Sequence, residues 1–391
     1  MSHLPLSVRG LFFLAALVPL AYYALASFAA IRFFTAERRR LRAPFTPPVS
    51  VLKPVRGIDF ASYENFRSFC DQDYPDYEIL FAVNEENDEA MPLIRRLMAE
   101  FPQRIRVLVG AAELGANRKV NKLVRLVEEA EHEILAMTDG DVRVGRQYLR
   151  QAVAPLADPS TGAVTSFYRG VAERNLGAEL EAVGASSDFF AGVLMANWME
   201  GMSFALGASI STTKTALRKI GGLEPIANML SDDYELGNRI ARSGGKVVLA
   251  EGQVWTMYPA QSPSGFWDHQ VRWARTVRLC RPLSYIGLIF THGLPWAVLA
   301  ALVADTSAGA AGFLGAYLVA RLTMAYIVGV WGVGDDLLWR RWYLVPLRDA
   351  LHFVIWLGSF ASNRVTWAGQ VFRTERGHMV AVSASSSSPP R

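Results

Sequence analysis

The stretch ILAMTDGDVRV, residues 134–144, decides how the chain is read. An apolar run rises to a strand end and stops on two carboxylates, Asp139 and Asp141, with Gly140 between them. Side chains alternate along an extended strand, so residues two apart point the same way. Asp-Gly-Asp at a strand end therefore aims two hard oxygen donors at one point. That suits Mg²⁺ or Mn²⁺, and such an ion can hold a diphosphate. The competing explanation is that Asp-Gly is turn chemistry after a strand. Short motifs match by accident often, so the surrounding chain has to decide.

Upstream, VSVLKP (Val49–Pro54), YEILFAV (Tyr77–Val83) and IRVLVG (residues 105–110) read as strands. Helical patterns separate them at residues 60–69 and 89–101, and Val120, Leu123, Val124 and Val127 recur at helical spacing before residue 134. Strand and helix in alternation predict an α/β domain with a mostly parallel sheet. In such sheets ligands sit beyond the carboxyl ends of the strands. Asp139, Asp141, Lys53, Pro54 and the stretch 84–88 all fall at that edge. Downstream, residues 162–167 read as a strand and 178–195 as a helix. The apolar runs 189–195 and 198–206 are too short to cross a bilayer. They read as buried core, or as a face in the membrane interface that admits a lipid. SDDYELGNRI, residues 231–240, is an acidic helix start that Ser231 or Asp232 would cap. FWDHQVRWARTVR, residues 266–278, then mixes aromatics with arginines.

At 391 residues and 51% hydrophobic, the chain holds enough apolar material for a core and for membrane spans. Residues 11–31 are uncharged, long enough to cross as a helix and too long for a signal-peptide core. Arg32, Arg38, Arg39, Arg40 and Arg42 follow, against Arg9 before it, which puts the next region in the cytosol by the positive-inside bias. Residues 282–304 can span, whereas 306–334 can do so only if Arg321 is tolerated. Residues 350–363 are short, and lengthening them admits Arg348 and Asp349, which would pair with each other. Three crossings here would carry Arg364, Arg373 and Arg376 outside, so two full crossings and an interfacial or re-entrant last segment are expected.

The expected division is a membrane helix (1–34), a basic, Pro-containing linker (35–48), a cytosolic α/β domain (49–281), membrane segments (282–372) and a disordered Ser-rich tail (373–391). A net charge of +4 is modest, and the arginines read as facing anionic lipid, with no nucleic-acid module present. Cys70 and Cys280 are far apart and read as free thiols.

Asp88, the pair Asp139 and Asp141, and the pair Asp232 and Asp233 thus stand in one domain, followed by His269, Gln270, Arg272 and Trp273. Sugar transfer from a nucleotide diphosphate needs such parts: a carboxylate for the nucleoside, a metal for the leaving diphosphate and a general base for the acceptor hydroxyl. An arginine can clamp phosphates bidentately. Structural explanations compete at each position. Asp233 could simply favour the helix dipole, Arg272 and Trp273 could be interfacial anchors, and Asp88 could belong to a solvated turn with Glu85, Glu86 and Glu89.

The order Asp88, TDGDVRV, SDDY, HQVRW resembles the ceramide glucosyltransferase family, which includes bacterial members that glycosylate hopanoids. The resemblance extends through VSVLKPVRG, FCDQDYPDYEILFAVNEEND, GANRKVNKL and RVTWAGQVF. It implies a glycosyltransferase-A domain between N- and C-terminal membrane helices, set in a bacterial inner membrane with the domain facing the cytoplasm. It also implies inverting transfer of glucose or N-acetylglucosamine from UDP-glucose or UDP-N-acetylglucosamine to a lipid hydroxyl, on ceramide or a hopanoid such as bacteriohopanetetrol. By the same resemblance, Asp88 contacts the nucleotide and Asp139 the UDP-sugar and metal, with Asp141 completing the metal clamp. Asp233 is the catalytic base with Asp232 tuning it, and Lys53, Pro54, Lys119 and Asn121 lie on the nucleotide side. His269, Gln270, Arg272 and Trp273 fall on the (Q/R)xxRW signature, where His269 departs from the pattern. A histidine that some relatives carry near Ser187 and Asp188 is absent. Two rivals remain. A processive polysaccharide synthase would need more crossings, and a non-enzymatic membrane scaffold has no use for acids at strand ends.

Overall fold

The computed structural model describes residues 5–39, 44–250, 252, 254–367, 370–375 and 378–381. Arg40, Arg42, Arg376 and the serine-rich stretch 383–391 lie outside the described residues.

Ten strands build the α/β body: β1 (Val49–Pro54), β2 (Tyr77–Val83), β3 (Ile105–Val109), β4 (Ile134–Thr138), β5 (Val142–Val144), β6 (Thr161–Ser166), β7 (Arg169–Ala172), β8 (Ser209–Thr213), β9 (Lys246–Ala250) and β10 (Val254–Tyr258). Seven of them form one sheet in the order β3-β2-β1-β4-β8-β6-β9. β1, β2 and β4 are buried along their whole length, as strands covered on both faces must be. β1, β2, β3 and β4 run parallel, β8 is antiparallel to β4 and β6, and β6 is parallel to β9. The chain steps outward from β1 through β2 to β3 and returns to place β4 on the other side of β1. The carboxyl ends of β1 and β4 therefore flank the point where strand order reverses, with Leu52 beside Met137. β5, β10 and β7 form a small second sheet just after Asp141.

A continuous helical run follows β7, from Leu176–Gly184 through a π-helical turn at Ala185–Phe189 to Phe190–Glu200. Phe190, Val193 and Leu194 are buried, so this stretch is core. Trp198 and Met199 at its end are exposed, and Trp198 meets Phe28 of the N-terminal helix edge to face at 5.7 Å.

Among the described residues, three helices are long and apolar enough to cross a membrane: Ser7–Arg39, Pro282–Val303 and Ser307–Val333. The last apolar helix, Val345–Ser359, has only 15 residues. Arg321 is 1% exposed and is held by Asp349, with Nε to Oδ2 at 2.9 Å and Nη2 to Oδ1 at 2.8 Å, while the Tyr317 hydroxyl donates to Asp349 at 2.7 Å. The expected Arg348–Asp349 pair does not form. Adjacent helical residues point to different faces, so Asp349 meets Arg321 and Arg348 donates instead to Gln270 at 2.6 Å.

A second correction concerns the end of the chain. β11 (Arg364–Trp367), β12 (Gln370–Glu375) and β13 (His378–Ala381) form an antiparallel sheet, so the membrane segments do not run to 372 and strand structure continues past 373. Val365, Phe372 and Met379 supply its buried face. Met379 N–H donates to Asn228 O at 2.8 Å, docking the sheet beside the loop that leads into Ser231.

Candidate active site

The site begins where β4 ends. Asp139 Oδ1 accepts from Lys119 Nζ at 2.7 Å, and the same ammonium lies 3.0 Å from Asp232 Oδ2. Lys119 is set by its helix, Arg118–Glu129. Asn117 caps that helix, its side-chain oxygen accepting from Lys119 and Val120 N–H, both at 3.1 Å. The Asn117 amide then donates to Met229 O at 3.0 Å and to Asp232 Oδ1 at 3.3 Å. One cap thereby ties the end of β4 to the start of the acidic helix Asp232–Arg242.

Asp233 divides its two oxygens. Oδ1 accepts from Tyr234 N–H at 2.8 Å and from the Ser231 hydroxyl at 3.1 Å, which serves the helix start. Ser231 is the N-cap residue but its side chain makes no cap bond, and neither does Asp232; Asp233 in the first turn accepts from Tyr234 N–H instead. Oδ2 faces Gly207: a Cβ at Gly207 would lie 3.0 Å from Asp233 Oδ2 and 3.6 Å from Asp139 Oδ2. Two carboxylates from distant parts of the sequence thus approach Gly207, which together with Asp139, Pro54, Thr138, Lys119 and Asp232 lines a small space.

Burial, reinforced by the charge of Asp232, raises the Asp233 carboxyl to about 6. Burial and then Asp139 and Asp59 raise Asp141 to about 7. Burial lowers the Lys119 ammonium, but Asp139, Asp232 and Asp233 outweigh it and hold the group protonated well above its usual range. The donor set fits a hard divalent cation, because Asp139 and Asp141 are two crowded carboxylates whose mutual repulsion such a cation relieves.

The other expected site residues, Pro54 apart, are not among those that line this space. Lys53 is wholly buried, with Nζ donating to Asp139 O at 2.8 Å and Thr138 Oγ1 at 3.2 Å while lying 3.9 Å over the Phe69 ring. It braces the main chain beneath Asp139, and burial lowers it to about 7. Asn121 donates to Gly115 O at 2.9 Å, behind the cleft. Asp88 sits at the rim by β1 and β2, with Oδ1 accepting from Gly57 N–H at 2.9 Å and Ala90 N–H at 3.0 Å.

His269, Gln270, Arg272 and Trp273 occupy the helix Pro263–Cys280. His269 Nδ1 lies 2.6 Å from Glu181 Oε1, Gln270 is buried against Arg348, and Trp273 meets Phe189 and His269 at 6.5 and 5.6 Å between ring centroids. Burial lowers the Arg272 guanidinium, with Glu181 opposing. Among the described residues no hydrogen bond or ion pair joins this group to Asp139 or Asp233. The Tyr168 hydroxyl is raised by burial and by the charges of Asp233, Glu181 and Asp141. The far end of the same helix returns to the site, where Ser231 opposes the rise that burial gives the Cys280 thiol.

Sequence reasoning did not single out Asn117, Gly207, Glu181 or Tyr168. Asn117, just before a helical pattern, carried a usable N-cap signal.

The sequence model described as Glycosyl transferase family 21 matches residues 11–380, nearly the whole chain. The chain belongs to that family. Among curated relatives of this family 21 chain, ceramide glucosyltransferase 3 of Caenorhabditis elegans is 26% identical over 231 residues, covering 59% of this chain and 50% of the relative. The ceramide glucosyltransferase of Komagataella phaffii is 28% identical over 156 residues, 39% of this chain and 30% of the relative. The chain thus spans half or less of the length of these relatives. A mannosyltransferase from Pyrobaculum calidifontis, solved with GDP-Man and Mn²⁺, superimposes with a TM-score of 0.51 at 19% identity, covering 84% of this chain and 99% of that one. This family 21 body accordingly has the glycosyltransferase-A fold.

Proposed function

We propose that this family 21 glycosyltransferase moves glucose or N-acetylglucosamine from UDP-glucose or UDP-N-acetylglucosamine to the hydroxyl of a membrane lipid, with inversion. The acceptor is ceramide or a hopanoid polyol. The convergence of Asp139 Oδ2 and Asp233 Oδ2 on Gly207 carries this reading. Asp233 uses one oxygen for its helix and keeps the other, with a raised proton affinity, toward the cleft. That oxygen takes the proton of the acceptor hydroxyl as the alkoxide attacks the anomeric carbon and the bond to the UDP oxygen breaks. Asp139 and Asp141 would hold Mg²⁺ or Mn²⁺, which when bound neutralises charge on the departing diphosphate. Lys119 fixes Asp139 and Asp232 relative to each other. Asp88 meets the nucleotide at the rim, and Arg272 and Trp273 close the acceptor side.

The protein is an integral membrane protein of a bacterial inner membrane with this cleft on the cytoplasmic face. Support comes from the three apolar helices and from Arg38 and Arg39 in the last turn of the first. The test is Asp233→Asn, assayed with a panel of UDP-sugars and lipid acceptors and mass spectrometry of the product. UDP binding should persist while turnover falls by about 10²–10⁴-fold. Retained turnover would remove Asp233 from its role.

A further inference from the structure

A second polar cluster lies where the helix Val345–Ser359 packs against Pro263–Cys280 and Gly293–Val303. The helix Val345–Ser359 presents Arg348 and His352 four residues apart, hence on one face. His352 Nδ1 is 2.7 Å from Asp188 Oδ2. His292, immediately before the helix Gly293–Val303, sets its ring 4.8 Å from that of His352 at 74°. Arg348 donates through Nη2 to Gln270 and packs against Gly184, where any side chain would collide with its guanidinium.

The polar inventory of this cluster does not close. His292 and Arg348 are each only 7% exposed, yet His292 Nε2 and Arg348 Nε and Nη1 have no hydrogen-bond partner among the described residues. The adjacent Arg321 and Asp349 are fully engaged with each other, Tyr317 and Ser187. Buried polar groups are normally partnered, and the exceptions call for a ligand or an ordered solvent molecule. Phe353 and Trp356 lie 5.6 and 5.7 Å from His292, so the polar spot is set in an aromatic wall. The side chains of His352 and Asp188 are each 26% exposed, which leaves the cluster reachable from outside.

An arginine that offers N–H groups and an imidazole that can donate or accept match a group that does both, a hydroxyl or an amide. The Asp188 carboxylate disfavours an anionic head. His292 belongs to the apolar segment Pro282–Val303, so the molecule that reaches it carries an apolar tail. We propose that Asp188, His292, Arg348 and His352 form the binding site for the uncharged, hydroxyl- or amide-bearing head of a membrane lipid. The site rests on the lipid-acceptor reading above. Gln270, bonded to Arg348 and next in sequence to His269, connects it to the helix that borders the active site.

The test uses the full chain in detergent micelles with two probes, a fluorescent short-chain ceramide and a fluorescent alkyl glycol. Binding of each is measured for wild type, His352→Gln and His292→Asn, alongside UDP binding as a check on folding. At least one probe should bind wild type, and both variants should bind it about tenfold more weakly, the loss of one buried hydrogen bond, with UDP affinity unchanged. Probe binding equal in wild type and both variants overturns the site, as does failure of wild type to bind either probe. If the probe binds and the variants lose it while no UDP-sugar is consumed, the site stands and the transfer reading falls. If sugar transfer proceeds with the acceptor KM unmoved in both variants, transfer stands and the site falls.

Discussion

Gly207 is the residue on which the two key carboxylates converge. A methyl group there would stand 3.0 Å from Asp233 Oδ2, closer than side chains ordinarily tolerate. Gly207→Ala should therefore leave the protein folded but displace one carboxylate, lowering kcat by at least about tenfold, as small misplacements of reacting groups do. Steady-state kinetics with a thermal melt as control checks it. The pH profile makes a sharper prediction. A base with a carboxyl raised to about 6 is protonated below that pH, so kcat/KM should fall on the acid side of about 6. Burial is the larger cause of that rise and Asp232 the next, so Asp232→Asn should move the acid limb to lower pH. The profile is measured at saturating divalent cation, which keeps Asp141 ionised. A limb that stays in place would remove Asp232 from its tuning role. Some of this was legible in sequence: the apolar strand that stops at Asp139, and the acidic helix start that carries Asp232 and Asp233. Strand alternation does not relate Asp139 to Asp141, because residues 139–141 form the turn between β4 and β5. Gly207 was not legible, because a glycine in an apolar stretch carries no signature of what approaches it. Lys53 read as a nucleotide-side residue, and its place beneath Asp139 was not visible. Only the fold shows the Phe69 ring beneath its ammonium.

Among the elements, the helix Arg118–Glu129 connects stability to the site. Its cap, Asn117, satisfies two N–H groups and also holds Asp232. Asn117→Ala should cost about 1 kcal/mol through the lost cap. It should lower activity further than that stability loss explains, because Lys119 and Asp232 lose their common anchor. Asn117→Ser, which restores the cap but not the amide contact to Asp232, should recover thermal stability more completely than turnover. The strands were readable because strands buried on both faces are nearly continuous apolar runs. The terminal sheet β11-β12-β13 was not. Its short strands mix arginines and polar residues, and its apolar face, Val365, Phe372 and Met379, exists only once it docks near Asn228.

Across the whole molecule, the membrane part is anchored by a charge pair that sequence reasoning placed between the wrong partners. Arg321 read as an obstacle to a crossing, and Asp349 as the partner of its neighbour. Folding brings these two together from separate helices, with Tyr317 as a third member. An ion pair in such surroundings is not a net source of stability, since removing two charges from water offsets most of the attraction. Breaking it is another matter, because the remaining charge stays buried and alone. Arg321→Met should destabilise by about 3–5 kcal/mol, and Asp349→Leu by a similar amount. The double variant Arg321→Met/Asp349→Leu should be more stable than either single one, because no charge is left uncompensated. Thermal unfolding of the four purified proteins in one detergent decides this. If the double variant falls as far as the sum of the singles, the two side chains act independently and the pair does not hold the membrane helices in register.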